Sequence, residues 1–405
     1  MVLLAVILYF ILFSLLAQKN FKAATGLLIL LLPSYFIRFS IGPLPSTVLE
    51  LSFGALFLVW VLKYFRQDIA EIKIFYGEQK KLVWLIGLLM SFSTLGIFVS
   101  YEPIKSLGIW RAYFLEPILF FILLVGRRRE LKKDDLIWFL ALSTVSISVL
   151  AILQKIIGQP ILTSLIKNDL QGRVTSFFSS PNAVGLYLGP IIPLVVYGLK
   201  NSKFKKYYWV ILALALAALM LSFSEGAVVA LGVVMVLTLS LFGYRKIASL
   251  LVLLGFLVAW LVVPIQQSLL FQNQSGQNRL TLWGYTWNYL NKNTNNFIFG
   301  AGLSQFNKKI QRPVNDFKKI EPLIFPHNII LNFWSEIGLF GLIFFAGIYA
   351  WTIKIVWKNY CQKKYFWTAM LMCLLIFLLH GLVDVPYFKN DLSFLWWIIL
   401  AIIYI

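Results

Sequence analysis

Apolar blocks that recur along the whole chain are the feature that most constrains its fold. Blocks such as 83–100, 137–157 and 247–264 are each about as long as the roughly 20 helical residues that cross a hydrocarbon layer. Hydrophobic residues make up 60% of the 405 positions and charged residues only 13%, a balance that is foreign to water-soluble domains. Because the blocks repeat from end to end, the sequence predicts one all-α, polytopic membrane bundle.

The hydropathy pattern predicts about 12 or 13 spans. They lie near 2–17, 24–38, 46–62, 83–100, 108–126, 136–157, 181–199, 207–222, 226–243, 247–264, 328–352, 365–386 and 392–405. The segment 207–243 is too long for one crossing, and the polar turn 222–226 divides it in two. No basic stretch or small-residue cleavage site precedes Lys19, so the first block is interpreted as a span and not as a signal peptide.

Basic residues predict the orientation of the chain. Lys and Arg collect in alternate connections, namely 19–22, 63–81, 127–133, 200–206, 245–246 and 354–364. Such residues favour cytoplasmic loops, so the opposite connections are expected outside the membrane. The net charge of +20 then follows from topology and from attraction to anionic membrane lipids. With no soluble basic domain, nucleic acid is not an expected partner.

The chain is expected to have three parts, which are an N-terminal transmembrane bundle over 1–264, an external loop over 265–327 and C-terminal transmembrane helices over 328–405. The two cysteines, Cys361 and Cys373, form no CxxC pair or His/Cys cluster. We therefore expect no metal site and no disulfide.

Two external segments, 158–180 and 265–327, are much longer than the other connections. The second is rich in amides and aromatic residues, which suits carbohydrate binding, while an interfacial aromatic belt with a solvated linker is the alternative. Within it, 279–290 predicts a short amphipathic helix at the membrane surface, with Arg279, Trp283, Trp287 and Leu290 on one face. Arg279 would bind a lipid phosphate there, or would simply extend toward the headgroups.

The end of the second loop contains the strongest candidate for catalysis. Gly300-Ala301-Gly302 predicts a tight turn, since no βαβ context supports a nucleotide-binding motif. In Pro326-His327-Asn328, Asn328 is a candidate N-cap, which places His327 at a helix N-terminus where anions are favoured. A histidine suits proton transfer near neutral pH, although a lone histidine is more often structural.

Polar residues at membrane depth are functional candidates by default. They are Glu50, Arg111, Glu116, Glu225 and Glu336. Arg111 and Glu116 are expected to neutralise each other, and Glu336, two turns below Asn328, is expected to line the same cavity as His327. His380 lies four residues before Asp384, and this spacing predicts a buried hydrogen-bonded pair that orients helices rather than a catalytic dyad.

The sequence lacks a P-loop, a DxD motif, HExxH and GxSxG. An enzyme without these parts requires a substrate that arrives already activated. No cofactor is therefore expected.

Several segments resemble the O-antigen ligase and polymerase family of bacterial envelope glycosyltransferases. They are 173–182, 279–283, 299–302, 326–328 and 333–341, with the similarity clearest over 170–350. The pattern Pro326-His327-Asn328 followed by Trp334-x-Glu336-x-Gly338 is the most specific of them. The resemblance implies inverting, metal-independent transfer of a glycan from a polyprenyl-diphosphate carrier to an acceptor hydroxyl at the outer face of the bacterial cytoplasmic membrane. A glycan, a lipid or a protein is the expected acceptor.

The resemblance also implies roles for individual residues. His327 would activate the acceptor and Arg279 would hold the diphosphate. We add Arg173, a cation just before a span, as a second diphosphate ligand, and Asn328, Glu336, Trp283 and Glu225 as supporting or cavity-lining residues. Where the family commonly has Ser-Arg-Gly, this chain has Ser224-Glu225-Gly226. Either Arg173 or a loop lysine compensates for the missing cation, or the donor differs.

A transporter or flippase for a lipid-linked or amphipathic solute is the rival interpretation. It would use Glu50, Arg111, Glu225 and Asp384 as a charged path through the bundle. An internal repeat or paired broken helices would favour it, and neither is evident in the sequence.

Overall fold

The computed structural model describes residues 2–41, 44–158, 172–314, 320–360 and 364–405. Most of the predicted loop 158–180, residues 315–319 of the second loop and Cys361 lie outside the described residues. The helices are α1 Val2–Lys19, α2 Phe21–Leu30, α3 Val48–Val59, α4 Phe65–Glu78, α5 Lys80–Val99, α6 Pro103–Trp110, α7 Glu116–Gly126, α8 Lys133–Ile157, α9 Pro181–Asn201, α10 Lys205–Ser222, α11 Glu225–Leu241, α12 Arg245–Leu261, α13 Val263–Leu269, α14 Gln274–Leu290, α15 Thr294–Phe299, α16 Ile329–Tyr360, α17 Lys364–Gly381 and α18 Asn390–Tyr404.

The predicted all-α, polytopic architecture is confirmed. Seven helices in the described part of the chain are long and apolar enough to cross a membrane. An eighth candidate is bent by 105° where α12 meets α13, and five further apolar helices are shorter. The predicted division of 207–243 is also confirmed, since α10 ends at Ser222 and Phe223 adopts a left-handed φ of 48° before α11 begins.

The span predicted over 24–38 is wrong in its extent. Helix α2 ends at Leu30, and its ten residues rise only about 15 Å, half of a hydrocarbon core. A short 3-10 helix, Leu32–Phe36, follows and contains Pro33, which cannot donate a backbone hydrogen bond. Strands β1 (Arg38–Ile41) and β2 (Leu44–Thr47) then pair in a hairpin that leads into α3.

The last helix, α18, forms the centre of the bundle. All of its residues from Asn390 to Ile403 are buried. Around it, Phe333 stacks on Phe345 with a ring-centroid distance of 3.9 Å, and Phe377 lies 4.5 Å from Trp396. This aromatic core joins α16, α17 and α18, the three helices that position the candidate site.

Candidate active site at the start of helix α16

His327 is fixed immediately before α16 by its neighbours in sequence. The side-chain oxygen of Asn328 accepts hydrogen bonds from the backbone N–H groups of Ile330 and Leu331, both at 3.0 Å. Its amide nitrogen donates to the carbonyl of Leu382 at 2.9 Å, which ties the turn to the segment after α17. The predicted N-cap is thus confirmed, and His327 itself adopts a left-handed φ of 53°, a conformation that non-glycine residues rarely hold without surrounding support.

The imidazole of His327 pairs with a carboxylate from the segment that follows α17. Its Nδ1 lies 3.1 Å from Oδ1 of Asp384, which also accepts the N–H of Val385 at 2.8 Å. Burial alone would raise the pKa of Asp384, but the charge and hydrogen bond of His327 hold that pKa well below its usual range. Within the described residues, Nε2 makes no hydrogen bond, and the side chain is 29% exposed.

The expected His380–Asp384 pair is wrong. Asp384 instead bonds to His327, to Asn182 and to the backbone of Val385. His380 is buried against Gly226, where a Cβ would lie only 2.8 Å from its Cδ2 atom. The i, i+4 spacing places His380 near Asp384, but the carboxylate of Asp384 is hydrogen-bonded to His327, which is distant in sequence.

A series of hydrogen bonds extends from Asp384 to the turn between α10 and α11. Asn182 donates from its Nδ2 to Oδ2 of Asp384 at 3.3 Å, and its side-chain oxygen accepts from Arg173 at 2.9 Å. Arg173 also donates to the carbonyls of Ser222 and Phe223, each at 3.0 Å. Arg173 therefore lies in the same polar array as His327, and its hydrogen-bond partners within the described residues are all uncharged groups.

Glu225 lies near both candidate arginines. Burial lowers the pKa of Arg173, the charge of Glu225 raises it, and the charge of Arg279 lowers it further. The three side chains therefore share one electrostatic neighbourhood. Glu225 is exposed in the first turn of α11 and accepts a hydrogen bond from the hydroxyl of Ser268. The acid that stands where the resembled family commonly has an arginine thus partly offsets the charge of Arg173.

The predicted amphipathic helix is confirmed as α14, although it begins earlier, at Gln274, where the side chain of Asn273 accepts the N–H of Gly276 at 2.8 Å. Its buried face agrees with the expected one only in part. Leu290, which was expected on that face, is fully buried, but so is Leu282, and Trp287 is 53% exposed.

Two side chains of α14 are close to the candidate site. Trp283 packs edge-on against Phe271 and donates from its indole to the carbonyl of His327 at 3.4 Å. Arg279 is partly buried and makes no hydrogen bond or ion pair within the described residues.

The Trp-x-Glu-x-Gly pattern fastens the loop to α16. The indole of Trp334 donates to the carbonyl of Phe297 at 2.7 Å. Gly338 interrupts α16 with φ 78°, and a Cβ there would lie 2.3 Å from the carbonyl oxygen of Ile298. Only glycine fits such a backbone and such an approach. The pattern therefore has a packing role beside any chemical one.

Glu336 is directed toward the same loop. Its carboxylate accepts the backbone N–H of Ser304, just after the tight turn in which Gly300 and Gly302 both have positive φ, as predicted. The only hydrogen bond that Glu336 makes within the described residues is to Ser304, and none is to His327 or Asp384. Its expected place in the cavity of His327 stays a prediction.

The intramembrane residues of the N-terminal half form a closed group. Arg111 lies 2.6 Å from Glu50 and 3.2 Å from Glu116, so the expected neutralisation occurs with a second acid added. Glu50 also accepts from Asn390 at 2.9 Å and caps α3 together with Thr47. These charges stabilise one another and hold α3, α7 and α18 in register.

These features define a multi-pass, all-α membrane protein with a polar site where several connecting segments meet. Residues 210–346 match the family model described as O-antigen ligase, which is consistent with the O-antigen ligase and polymerase family. No curated protein matches the chain. The family match supports O-antigen ligase-like glycan transfer as the general activity.

The matched segment contains six of the predicted site residues, which are Glu225, Arg279, Trp283, His327, Asn328 and Glu336. The structure brings all but Glu336 together with Arg173, which lies before the segment. Sequence reasoning missed Asn182 and misassigned Asp384. A signal existed for each, since Asn182 belongs to the 173–182 motif and Asp384 is an acid beside a span.

Proposed function

We propose that this protein transfers a glycan from a polyprenyl-diphosphate carrier to an acceptor hydroxyl, with inversion and without a metal. The observation that carries the proposal is the pairing of His327 with Asp384, which leaves Nε2 free within the described residues. We place the site at the outer face of the bacterial cytoplasmic membrane, because the basic connections lie at the opposite ends of the helices.

His327 is proposed to act as the general base. Ionised Asp384 accepts the Nδ1 proton, so the neutral ring presents Nε2 as an acceptor. The acceptor hydroxyl gives its proton to Nε2 as its oxygen attacks the anomeric carbon of the donor glycan. Asp384 then stabilises the imidazolium that forms, as an oriented carboxylate does in other histidine-dependent enzymes.

The leaving group requires fixed positive charge. As the bond between the anomeric carbon and the phosphate oxygen breaks, the electron pair stays on the carrier diphosphate. Arg279, which has no ion-pair partner within the described residues, is proposed to bind it, and Arg173 adds to the local field. Attack opposite to the departing diphosphate in a single displacement inverts the anomeric configuration.

The remaining predicted residues support this arrangement. Trp283 bonds to the backbone of His327 and Asn328 caps the helix that follows, so both hold the base in place. Whether the acceptor is a glycan, a lipid or a protein depends on which molecule binds beside Nε2 of His327. The pairing of Glu50 with Arg111, two members of its charged path, argues against the transporter alternative.

The direct test incubates the purified protein with a polyprenyl-diphosphate-linked oligosaccharide and candidate acceptors. We expect transferred glycan and released carrier, unchanged by a metal chelator. The His327→Ala variant should lose about 10²–10⁴-fold in rate while its elution profile and melting temperature stay near those of the wild type. Undiminished transfer by a folded His327→Ala protein would refute the mechanism. Movement of the lipid-linked oligosaccharide across vesicles without transfer would instead support the flippase.

A further inference from the structure

An apolar groove lies between α5 and α16, far along α16 from His327. It has a volume of about 490 Å³. Its floor consists of Leu85, Gly347 and Ala350, and Gly347 is so close that a Cβ would lie 3.1 Å from the side chain of Leu85. Trp84, which is 66% exposed, and Trp351 form its walls. The groove is thus narrow, apolar and open toward the surroundings of the bundle.

Two lysines stand at the mouth of this groove. The ammonium of Lys81 lies 5.3 Å from the ring centroid of Trp351, and that of Lys354 lies 5.4 Å from the same ring. Both side chains are exposed, and neither forms an ion pair with a carboxylate within the described residues. Two cations therefore converge on one aromatic ring without an internal counter-ion, although like charges repel.

We propose that this lysine groove, formed by α5 and α16 between Lys81 and Lys354, binds an anionic phospholipid of the leaflet opposite His327. A phosphate headgroup between the two ammonium groups supplies the counter-charge that the protein lacks there. An acyl chain fills the apolar space beneath it. A soluble anion would leave the groove empty, and a neutral lipid would leave the lysines unpaired.

The position of the groove along the bundle fits a phospholipid of that leaflet. Lys81 begins α5 and Lys354 lies in the last part of α16, so both are at the end of the bundle where basic residues collect. That end faces the cytoplasm in the orientation proposed above, and the cytoplasmic leaflet carries anionic lipid. The site is separate from the proposed donor site, and its occupancy does not depend on glycan transfer.

The test measures retained lipid by native mass spectrometry after reconstitution in phosphatidylcholine with a minor fraction of phosphatidylglycerol. We expect the wild type to retain phosphatidylglycerol in preference to phosphatidylcholine. The double variant Lys81→Gln/Lys354→Gln should bind it about tenfold more weakly, since each lysine near the surface contributes measurably to attraction. Ala350→Leu, which fills the groove and keeps both charges, should also reduce binding.

The matched control is Lys203→Gln/Lys206→Gln, which removes two cations at the same end that also lie near aromatic rings, at 5.2 Å each. It should retain the lipid as the wild type does. Equal losses in the two double variants would overturn the proposal, because bulk charge would then explain binding. Equal retention of the two lipids by the wild type, or displacement of phosphatidylglycerol by millimolar inorganic phosphate, would overturn it as well.

Discussion

Two groups of arginines at opposite ends of the bundle differ in their partners. In the group Arg127-Arg128-Arg129, every arginine pairs with a carboxylate. Arg127 is buried, lies 3.3 Å from Asp68 and packs 4.1 Å from the ring centroid of Tyr64. Arg128 and Arg129 both bind Glu71. These pairs join α4 to the segment after α7.

The two arginines near His327, Arg173 and Arg279, form no ion pair with a carboxylate within the described residues. Arg173 donates only to carbonyl and amide oxygens, and Arg279 forms no ion pair within the described residues. A buried charge that is fully paired holds helices together, whereas a fixed cation without a carboxylate partner is available to an anionic ligand. The presence or absence of a carboxylate partner, and not the residue type, therefore distinguishes the structural arginines from the two near His327.

Among the substitutions that test this difference, Asp384→Asn is expected to lower the transfer rate the most. Asp384→Asn keeps the size of the side chain but removes the charge that orients and stabilises the imidazole of His327. We expect the transfer rate to fall by about 10²–10⁴-fold, with little change in the KM for the donor. The measurement is the initial rate of glycan transfer as a function of pH. Because Asp384 acts through His327, its loss should also displace the pH profile, which a purely structural residue would not do.

The matched control for that experiment is Asn182→Ala, which removes the second hydrogen bond to Asp384 and keeps the carboxylate. It should cost far less activity than Asp384→Asn. If the two variants are equally impaired, the hydrogen-bonded array as a whole matters and the charge of Asp384 does not.

At the opposite end, Arg127→Leu should affect stability and leave the chemistry intact. It strands the buried carboxylate of Asp68, and breaking a buried pair in this way costs about 3–5 kcal/mol. Thermal unfolding in detergent measures the loss, and transfer per folded molecule should stay near the wild-type value. The double variant Arg127→Leu/Asp68→Leu should recover much of the stability. A specific loss of transfer in a stably folded Arg127→Leu protein would contradict the separation of roles.

The smallest expected effect concerns Glu225, the acid beside the two candidate cations. Glu225→Gln should strengthen the field at Arg173 and lower the KM for the donor by about twofold to fivefold, an effect that salt screens. Glu102→Gln is the control, since that acid pairs with Lys308 at 2.7 Å instead. An increase in donor KM for Glu225→Gln would show that the acid contacts the donor rather than opposing its ligands.

Local patterns in the sequence predicted the parts of the site that neighbouring residues determine. The cap at Asn328, the tight turn at Gly300 and Gly302, and α14 all depend on residues within a few positions of one another. The pairing of His327 with Asp384 does not, because helix periodicity brings His380 close to Asp384 and says nothing of a partner 57 positions away. That choice depends on how α16 and α17 pack, which hydropathy does not encode.

The same limit applies to the spans. Hydropathy located nearly all of the crossing helices, but it does not rank them by burial. After its polar first turn, the terminal helix α18 is almost entirely apolar, as a lipid-facing helix would be, yet its burial on all sides places it in the centre of the bundle. Conversely, the apolar stretch after α2 continues through Pro33 into a hairpin, which average hydropathy does not detect.

The partnership of His327 and Asp384 also has a consequence for biosynthesis. The ribosome completes the histidine and the whole of α16 before it reaches the aspartate that follows α17. Throughout that interval the nascent chain already has its arginines and its imidazole, but the imidazole has no carboxylate beside it. The site is assembled only when the final hairpin has entered the membrane and packed against α16. Under the proposed mechanism, a partly inserted chain lacks the oriented base, and we expect glycan transfer only after the final hairpin has packed against α16.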